Sequence, residues 1–196
     1  MKALLEEMES YALEHHIPII RERERHAFCR IVEEAKPHRI LEIGTAIGYS
    51  AILMAMFAAE DVEVVSLERM EDRAAKAEEF IGRSPYRDCI KVMTGDAADL
   101  LGMLQGPFDF VFIDAAKGQY ARYFRRLLPM LSARAVVLAD NALFRGYVCS
   151  DGKPPRRYKT IVKRLREYLD LVRHTPGFST ELLEDGDGMA VSRRFG

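Results

Sequence analysis

The sequence predicts an α/β fold: a Rossmann-like, seven-stranded and mostly parallel sheet, closed by an antiparallel C-terminal strand, with helices on both faces. Three observations predict it. From Pro37 onward, short apolar runs alternate with amphipathic stretches of helical periodicity. The runs are continuously apolar, as strands buried on both faces must be. Near the end, two strand-like runs flank Glu184-Asp185-Gly186-Asp187-Gly188, whose composition suits a hairpin turn.

The elements follow in order. Residues 1–36 read as a helical N-terminal extension in two pieces, broken near Ile17-Pro18. Leu4, Leu5, Met8 and Ala12 form an apolar stripe on the first piece, which can pack on its own domain or on a second subunit. Strands are expected at 39–43, 62–67, 90–93, 108–113 and 135–139. Helices are expected at 46–59, 71–81, 97–104 and 120–131. A last helix follows Pro154-Pro155, over about 158–172, and strands at 178–183 and 189–192 complete the sheet. The 196 residues suit a single domain over 1–196.

Composition narrows the function classes. Charged residues make up 30% and the formal net charge is -1, so nucleic-acid binding would need a local basic patch. Cys29, Cys89 and Cys149 are scattered and odd in number, which fits neither a disulfide framework nor a CxxC metal site. Neither an apolar signal core nor a membrane-length apolar run is present, so the cytoplasm is the expected location.

The most informative segment is Ile40-Leu41-Glu42-Ile43-Gly44-Thr45-Ala46-Ile47-Gly48-Tyr49-Ser50, a buried strand running through a glycine turn into a helix. Open α/β sheets bind ligands beyond the carboxyl ends of their strands. The pattern here is acidic-x-Gly-x-x-x-Gly rather than GxGxxG. Glu42 before the turn would repel a pyrophosphate and suits a cationic or hydroxyl-bearing ligand. Gly44 permits the sharp turn, Gly48 lets the helix start lie close to a ligand or the sheet, and Ser50 adds a hydroxyl. Glu68, about 24 residues after Gly44, ends the second strand where an acid can hold ribose hydroxyls. Asp96 and Ala97 end the third, where an adenine edge can be met. S-adenosylmethionine, with its sulfonium, amino group and ribose, matches this set.

The fourth strand ends Ile113-Asp114-Ala115-Ala116-Lys117 and the fifth Ala139-Asp140-Asn141. Adjacent strand ends would bring Asp114, Asp140 and Asn141 together as a hard, all-oxygen set that suits Mg²⁺, Mn²⁺ or Ca²⁺. Lys117 is the candidate general base for a metal-bound hydroxyl.

These three motifs resemble those of the metal-dependent O-methyltransferases of the catechol and caffeoyl-CoA type, over nearly the whole chain. The resemblance implies that Asp114, Asp140 and Asn141 bind Mg²⁺ and that Lys117 is the base. It implies cofactor contacts from Glu42, Gly44, Ser50, Glu68, Asp96, Ala97 and Asp114, with a backbone contact near Ile20. It also implies a homodimer. Ala115-Ala116-Lys117-Gly118-Gln119-Tyr120, Asp140-Asn141-Ala142-Leu143-Phe144-Arg145-Gly146 and Thr160-Ile161-Val162-Lys163-Arg164-Leu165-Arg166 look most like the bacterial branch that methylates 5-hydroxyuridine at the tRNA wobble position. Arg157 stands where catechol-type enzymes carry an acid, and Arg21-Glu22-Arg23-Glu24-Arg25 lacks a Pro-Glu-Gly-like turn.

A basic cluster follows Asn141, made of Arg145, Lys153, Arg156, Arg157, Lys159, Lys163, Arg164 and Arg166, with Arg145, Lys153, Arg156, Arg157 and Lys163 as candidate RNA contacts, and Phe144 or Tyr147 available to stack on a splayed base. The expected function is therefore Mg²⁺-dependent methyl transfer from S-adenosylmethionine to a hydroxyl, with tRNA as substrate. The alternatives are a small-molecule enzyme acting on catechols or hydroxycinnamoyl-CoA, and a non-catalytic nucleoside- or RNA-binding module.

Overall fold

The alternation of apolar runs and amphipathic stretches produces seven strands of one mixed sheet. The computed structural model describes residues 1–150, 152–184 and 186–195, so Asp151, Asp185 and Gly196 lie outside the described residues. The chain divides into two compact units, Met1–Leu104 and Gln105–Gly196.

The first unit contains α1 (Lys2–Glu14), α2 (Glu22–Ala35), β1 (Arg39–Ile43), α3 (Tyr49–Phe57), β2 (Glu63–Glu68), α4 (Glu71–Gly82), β3 (Ile90–Thr94) and the single-turn α5 (Ala97–Leu100). Its strands run parallel in the order β3-β2-β1, with Ile43 beside Leu67 and Glu68 beside Thr94. That register brings the strand ends level. The break expected near Ile17-Pro18 is present, since α1 stops at Glu14 and α2 starts at Glu22. The α1 stripe packs within its own unit. Met8 and Ala12 are buried, Tyr11 meets Phe80 of α4 edge-on at 5.6 Å, and Arg83 donates to Glu7 at 2.7 Å. Behind it Glu9 accepts from both Arg25 and Tyr49, while Arg25 also donates to the Tyr49 hydroxyl at 2.7 Å.

The second unit contains β4 (Phe108–Ile113), α6 (Tyr120–Leu127), β5 (Leu131–Ala139), α7 (Lys159–His174), β6 (Phe178–Leu183) and β7 (Met189–Arg194). Its strand order is β4-β5-β7-β6. The β4–β5 pair is parallel, and β7 runs antiparallel to both β5 and β6. The expected hairpin joins Leu183 to Met189, which pair across it. Burial of Phe110, Phe112, Phe124, Leu127, Tyr168 and Val172 makes the core. Phe124 packs edge-on to Tyr168 and Phe178.

Several expected boundaries shift for local reasons. The helix expected at 46–59 starts only at Tyr49, because Gly48 takes a left-handed conformation at the N-cap. The helix expected over 120–131 stops at Leu127. Pro129, which has no amide to donate, sits in a single 3-10 turn over Leu128–Met130, and β5 begins directly after it, four residues earlier than expected. The helix expected at 97–104 is one turn long and dissolves into turns around Gly102. Among the described residues, no helix is long and apolar enough to cross a membrane.

Candidate active site at the strand ends

In the first unit, the glycine turn is locked by carboxylates. Glu42 is wholly buried, and its carboxylate accepts from the hydroxyls of Ser50 and Ser66. A buried carboxylate is tolerable only with such donors. The Ser50 hydroxyl thus points to Glu42. Ser66 was not anticipated as part of the site. A lone serine within the apolar run Val65-Ser66-Leu67 was the signal available for it.

Gly44 has φ 108° and donates its amide to the Leu67 carbonyl at 2.9 Å, tying the turn to the end of β2. Gly48 also makes room for a neighbouring helix. At φ +85°, a Cβ there would lie 3.0 Å from Ile81 Cδ1 and 3.4 Å from Ala77 Cβ, so its bare backbone admits helix α4.

Glu68 is buried at the end of β2. Its Oε2 accepts from the Ala46 amide at 2.8 Å, and its Oε1 from the Arg69 and Met70 amides at 2.9 Å. An ionised carboxylate has about four acceptor positions, so three amides leave room for a hydroxyl donor. Gly95 donates to the Glu68 carbonyl at 2.8 Å, which draws the β3 end alongside. Next to it exposed Asp96 caps α5 through the Ala98 amide at 2.8 Å, and Ala97 is buried. Ile20 is buried ahead of α2.

In the second unit, Ile113 pairs with Ala139, and the Asp140 amide donates to the Ile113 carbonyl at 3.0 Å. Asp114 and Asp140 therefore leave neighbouring strands at the same level. Asn141 turns the chain with φ 51°, and its amide donates to Asp140 Oδ1 at 2.7 Å. Lys117 Nζ donates to Asn141 Oδ1 at 2.6 Å. Beneath them, fully buried Tyr120 donates to the Asp140 carbonyl at 3.1 Å. Burial holds the Tyr120 hydroxyl well above its ordinary pKa, and the negative charges of Asp114 and Asp140 add to this. Both carboxylates thus bear on one buried phenol. Tyr120 was another residue the sequence reading passed over.

This donor set fits a hard divalent cation. Asp114 and Asp140 leave neighbouring strands level with each other, and Asn141 adds an amide oxygen, which accepts from Lys117 Nζ. Among the described residues there is no cluster of three His, Cys, Asp or Glu side chains.

The loop after Asn141 is strained and clamped. Phe144, Arg145 and Gly146 take φ 43°, 57° and 75°. Arg166, read in the sequence as part of the basic cluster, donates to the carbonyls of Val148, Tyr147 and Ser150 at 2.9, 3.0 and 2.7 Å. It is a structural brace. Tyr158 lies 5.3 Å from Phe144 and 5.8 Å from Tyr147 between ring centroids. The Arg157 guanidinium stacks on the Tyr158 ring at 4.6 Å, and Arg145 donates to its hydroxyl at 3.2 Å. Lys153, Arg156 and Arg157 are exposed, whereas Lys163 lies 3.9 Å from Glu167 on α7.

The strand order within each unit and the acidic strand ends define the Rossmann-like methyltransferase fold. The sequence matches the O-methyltransferase family over residues 2–195, and the chain belongs to that family. It is 36% identical over 116 residues to a catechol O-methyltransferase of Niastella koreensis, covering 57% of this chain and 52% of the relative. It is 28% identical over 166 residues to caffeoyl-CoA O-methyltransferase 1 of Eucalyptus globulus, covering 79% and 65%. The chain therefore spans about half to two thirds of the length of these curated relatives. Among solved structures, an O-methyltransferase from Bacillus cereus in complex with SAH superposes with a TM-score of 0.86 at 28% identity, covering 98% of this chain and 90% of that one.

Proposed function

We propose that this protein methylates a hydroxyl oxygen using S-adenosylmethionine and a divalent cation, and that its acceptor is 5-hydroxyuridine at the tRNA wobble position. The observation that carries the chemistry is the Lys117–Asn141 hydrogen bond beside Asp114 and Asp140. Family membership and the SAH complex of the Bacillus cereus relative support the cofactor. When bound, S-adenosylmethionine supplies an electrophilic methyl group on sulfur. Asp114, Asp140 and Asn141 would hold a divalent cation such as Mg²⁺, which would supply Lewis acidity toward a hydroxyl.

The chain's own residues do the rest. Glu68 offers its remaining acceptor positions to ribose hydroxyls, and the Glu42–Ser50–Ser66 network holds the glycine turn rigid. Asp96 and Ala97 flank the adenine, and Ile20 contributes backbone. Lys117 Nζ, held by Asn141, takes the proton of the acceptor hydroxyl. Much of the rate enhancement comes from positioning.

The RNA acceptor is supported by the Phe144–Tyr147–Tyr158 cluster with its stacked arginine, a surface suited to an unstacked base. Exposed Arg145, Lys153, Arg156 and Arg157, with Lys163 on α7, supply positive charge for its phosphates. A second reading, a catechol or caffeoyl-CoA acceptor, is favoured by the relatives' activities. A pure binding module has no need of the Lys117–Asn141 arrangement.

The deciding experiment is methyl transfer from labelled S-adenosylmethionine to tRNA bearing 5-hydroxyuridine, and to a catechol and hydroxycinnamoyl-CoA panel, with and without EDTA. Chelator-sensitive labelling of tRNA alone supports the reading. Labelling of small molecules alone refutes the RNA acceptor, and labelling of neither refutes catalysis. We also propose a homodimer, for which exposed Leu13, beside an open groove lined by Ala12, Ile17, Pro18 and Ile19, supplies apolar surface. A monomeric mass in sedimentation equilibrium would refute it.

A further inference from the structure

We infer that a cleft between α6 and α7 seats the phosphodiester backbone of the RNA acceptor. This inference rests on the RNA reading above. The cleft has a volume of about 410 Å³ and is lined by Gly118, Gln119, Arg122, Arg125, Arg164 and Glu167, with Ala121 at its wall. Three guanidiniums against one carboxylate leave two net positive charges in one concavity.

The helices set this arrangement. Arg122 and Arg125 are three residues apart on α6, so they share a face, and both are exposed. Arg164 and Glu167 are likewise three apart on α7 and joined at 2.8 Å, which orients the Arg164 fork. The Arg164 hydrogen bond and charge, then the charges of Lys163 and of Arg125 on the facing helix, hold the Glu167 carboxyl below its ordinary pKa. The Arg125 guanidinium makes a long 3.4 Å contact to its own helix carbonyl at Ala121, and the exposed Arg122 and Arg125 side chains present their forks to the cleft. Arginine forks match phosphate oxygens in pairs.

Position gives the cleft its meaning. Its rim residues Gly118 and Gln119 directly follow Lys117, and consecutive Cα atoms are about 3.8 Å apart. A Cβ added at Gly118 would meet nothing within 4 Å, so the rim is open. A phosphate seated here belongs to the molecule whose hydroxyl faces Lys117. Such contacts fix register on the chain without reading sequence. A catechol carries no phosphate to place in this cleft; a hydroxycinnamoyl-CoA does, and the acceptor panel above separates it from RNA.

The test uses the full-length protein and a fluorescent anticodon stem-loop RNA, with binding measured across a salt series. The R122A/R125A variant is expected to lose roughly tenfold or more in RNA affinity and to flatten the salt slope by about two. R122K/R125K is expected to recover most of the slope, and S-adenosylmethionine binding is expected to stay unchanged in both. The charge-matched control R87A/R134A is expected to behave as wild type. If the wild-type protein labels tRNA but R122A/R125A matches the control in affinity and slope, the cleft assignment is overturned and the RNA reading stands. If the wild-type protein shows no chelator-sensitive tRNA labelling, the RNA reading fails and this inference falls with it.

Discussion

The Lys117 ammonium and the Asn141 side chain meet across 2.6 Å, joining the turn after β4 to the left-handed residue that ends β5. One is the candidate base and the other a candidate metal ligand, so the bond couples proton transfer to the oxygen set. Lys117→Ala is expected to lower kcat by about 10²–10⁴-fold, the range for a general base. Calorimetry should show S-adenosylmethionine binding unchanged. Full turnover in K117A would remove Lys117 from the chemistry.

Gly188 holds the segment that follows Asn141. Its carbonyl accepts from the Ala142 amide at 2.8 Å, and at φ +76° an added Cβ would lie 2.3 Å from Leu143 Cγ and 2.9 Å from Leu143 Cβ. Gly188→Ala therefore has to displace Leu143. We expect a loss of about 1–3 kcal/mol in urea denaturation and a higher Mg²⁺ concentration for half-maximal activity. Wild-type stability would show that the segment yields without cost.

Tyr168 is fully buried between Tyr120 and Phe124, and its hydroxyl has no hydrogen-bond partner among the described residues. Burial alone holds that phenol far above its ordinary pKa. Tyr168→Phe keeps the ring contacts and removes an unsatisfied polar atom. It is expected to unfold at the same or higher urea concentration, with a gain up to about 1 kcal/mol. A clear loss would point to a bound water on the hydroxyl.

Alkaline pH should loosen the first unit. Burial, reinforced by the hydrogen bond to Glu9, pushes the Tyr49 hydroxyl up to about 12 from its ordinary 10.0. The folded state therefore holds this proton more tightly than the unfolded chain. Its contribution is complete below pH 10 and declines as pH rises toward 12. The melting temperature is expected to fall over that interval, and less steeply in Y49F. Equal slopes in the two proteins would assign the loss to other groups.

Much of this was legible in the chain. The apolar runs from Arg39 and Phe108 begin and end as strands where periodicity put them, since strands buried on both faces have little choice of residue. That Asp114 and Asp140 leave neighbouring strands at one level followed from the parallel pairing of β4 with β5. The helix expected to run through Pro129 was misread because periodicity outweighed a missing amide.

Other features needed the third dimension. That α1 covers its own unit through Met8 and Tyr11 depends on where α4 places Phe80, and an amphipathic stripe has no means of naming its partner. Gly48 and Gly188 read as turn glycines, yet each also makes room for a side chain distant in sequence, Ile81 and Leu143. Arg166 belongs to a basic run in sequence and to three backbone carbonyls in space. By itself the sequence determined the order of elements and the chemistry at each strand end, because periodicity and residue type are local. Only the tertiary structure decided which buried polar groups meet, as Glu42 meets Ser66 and Tyr120 meets Asp140, because such contacts depend on strand register and helix placement.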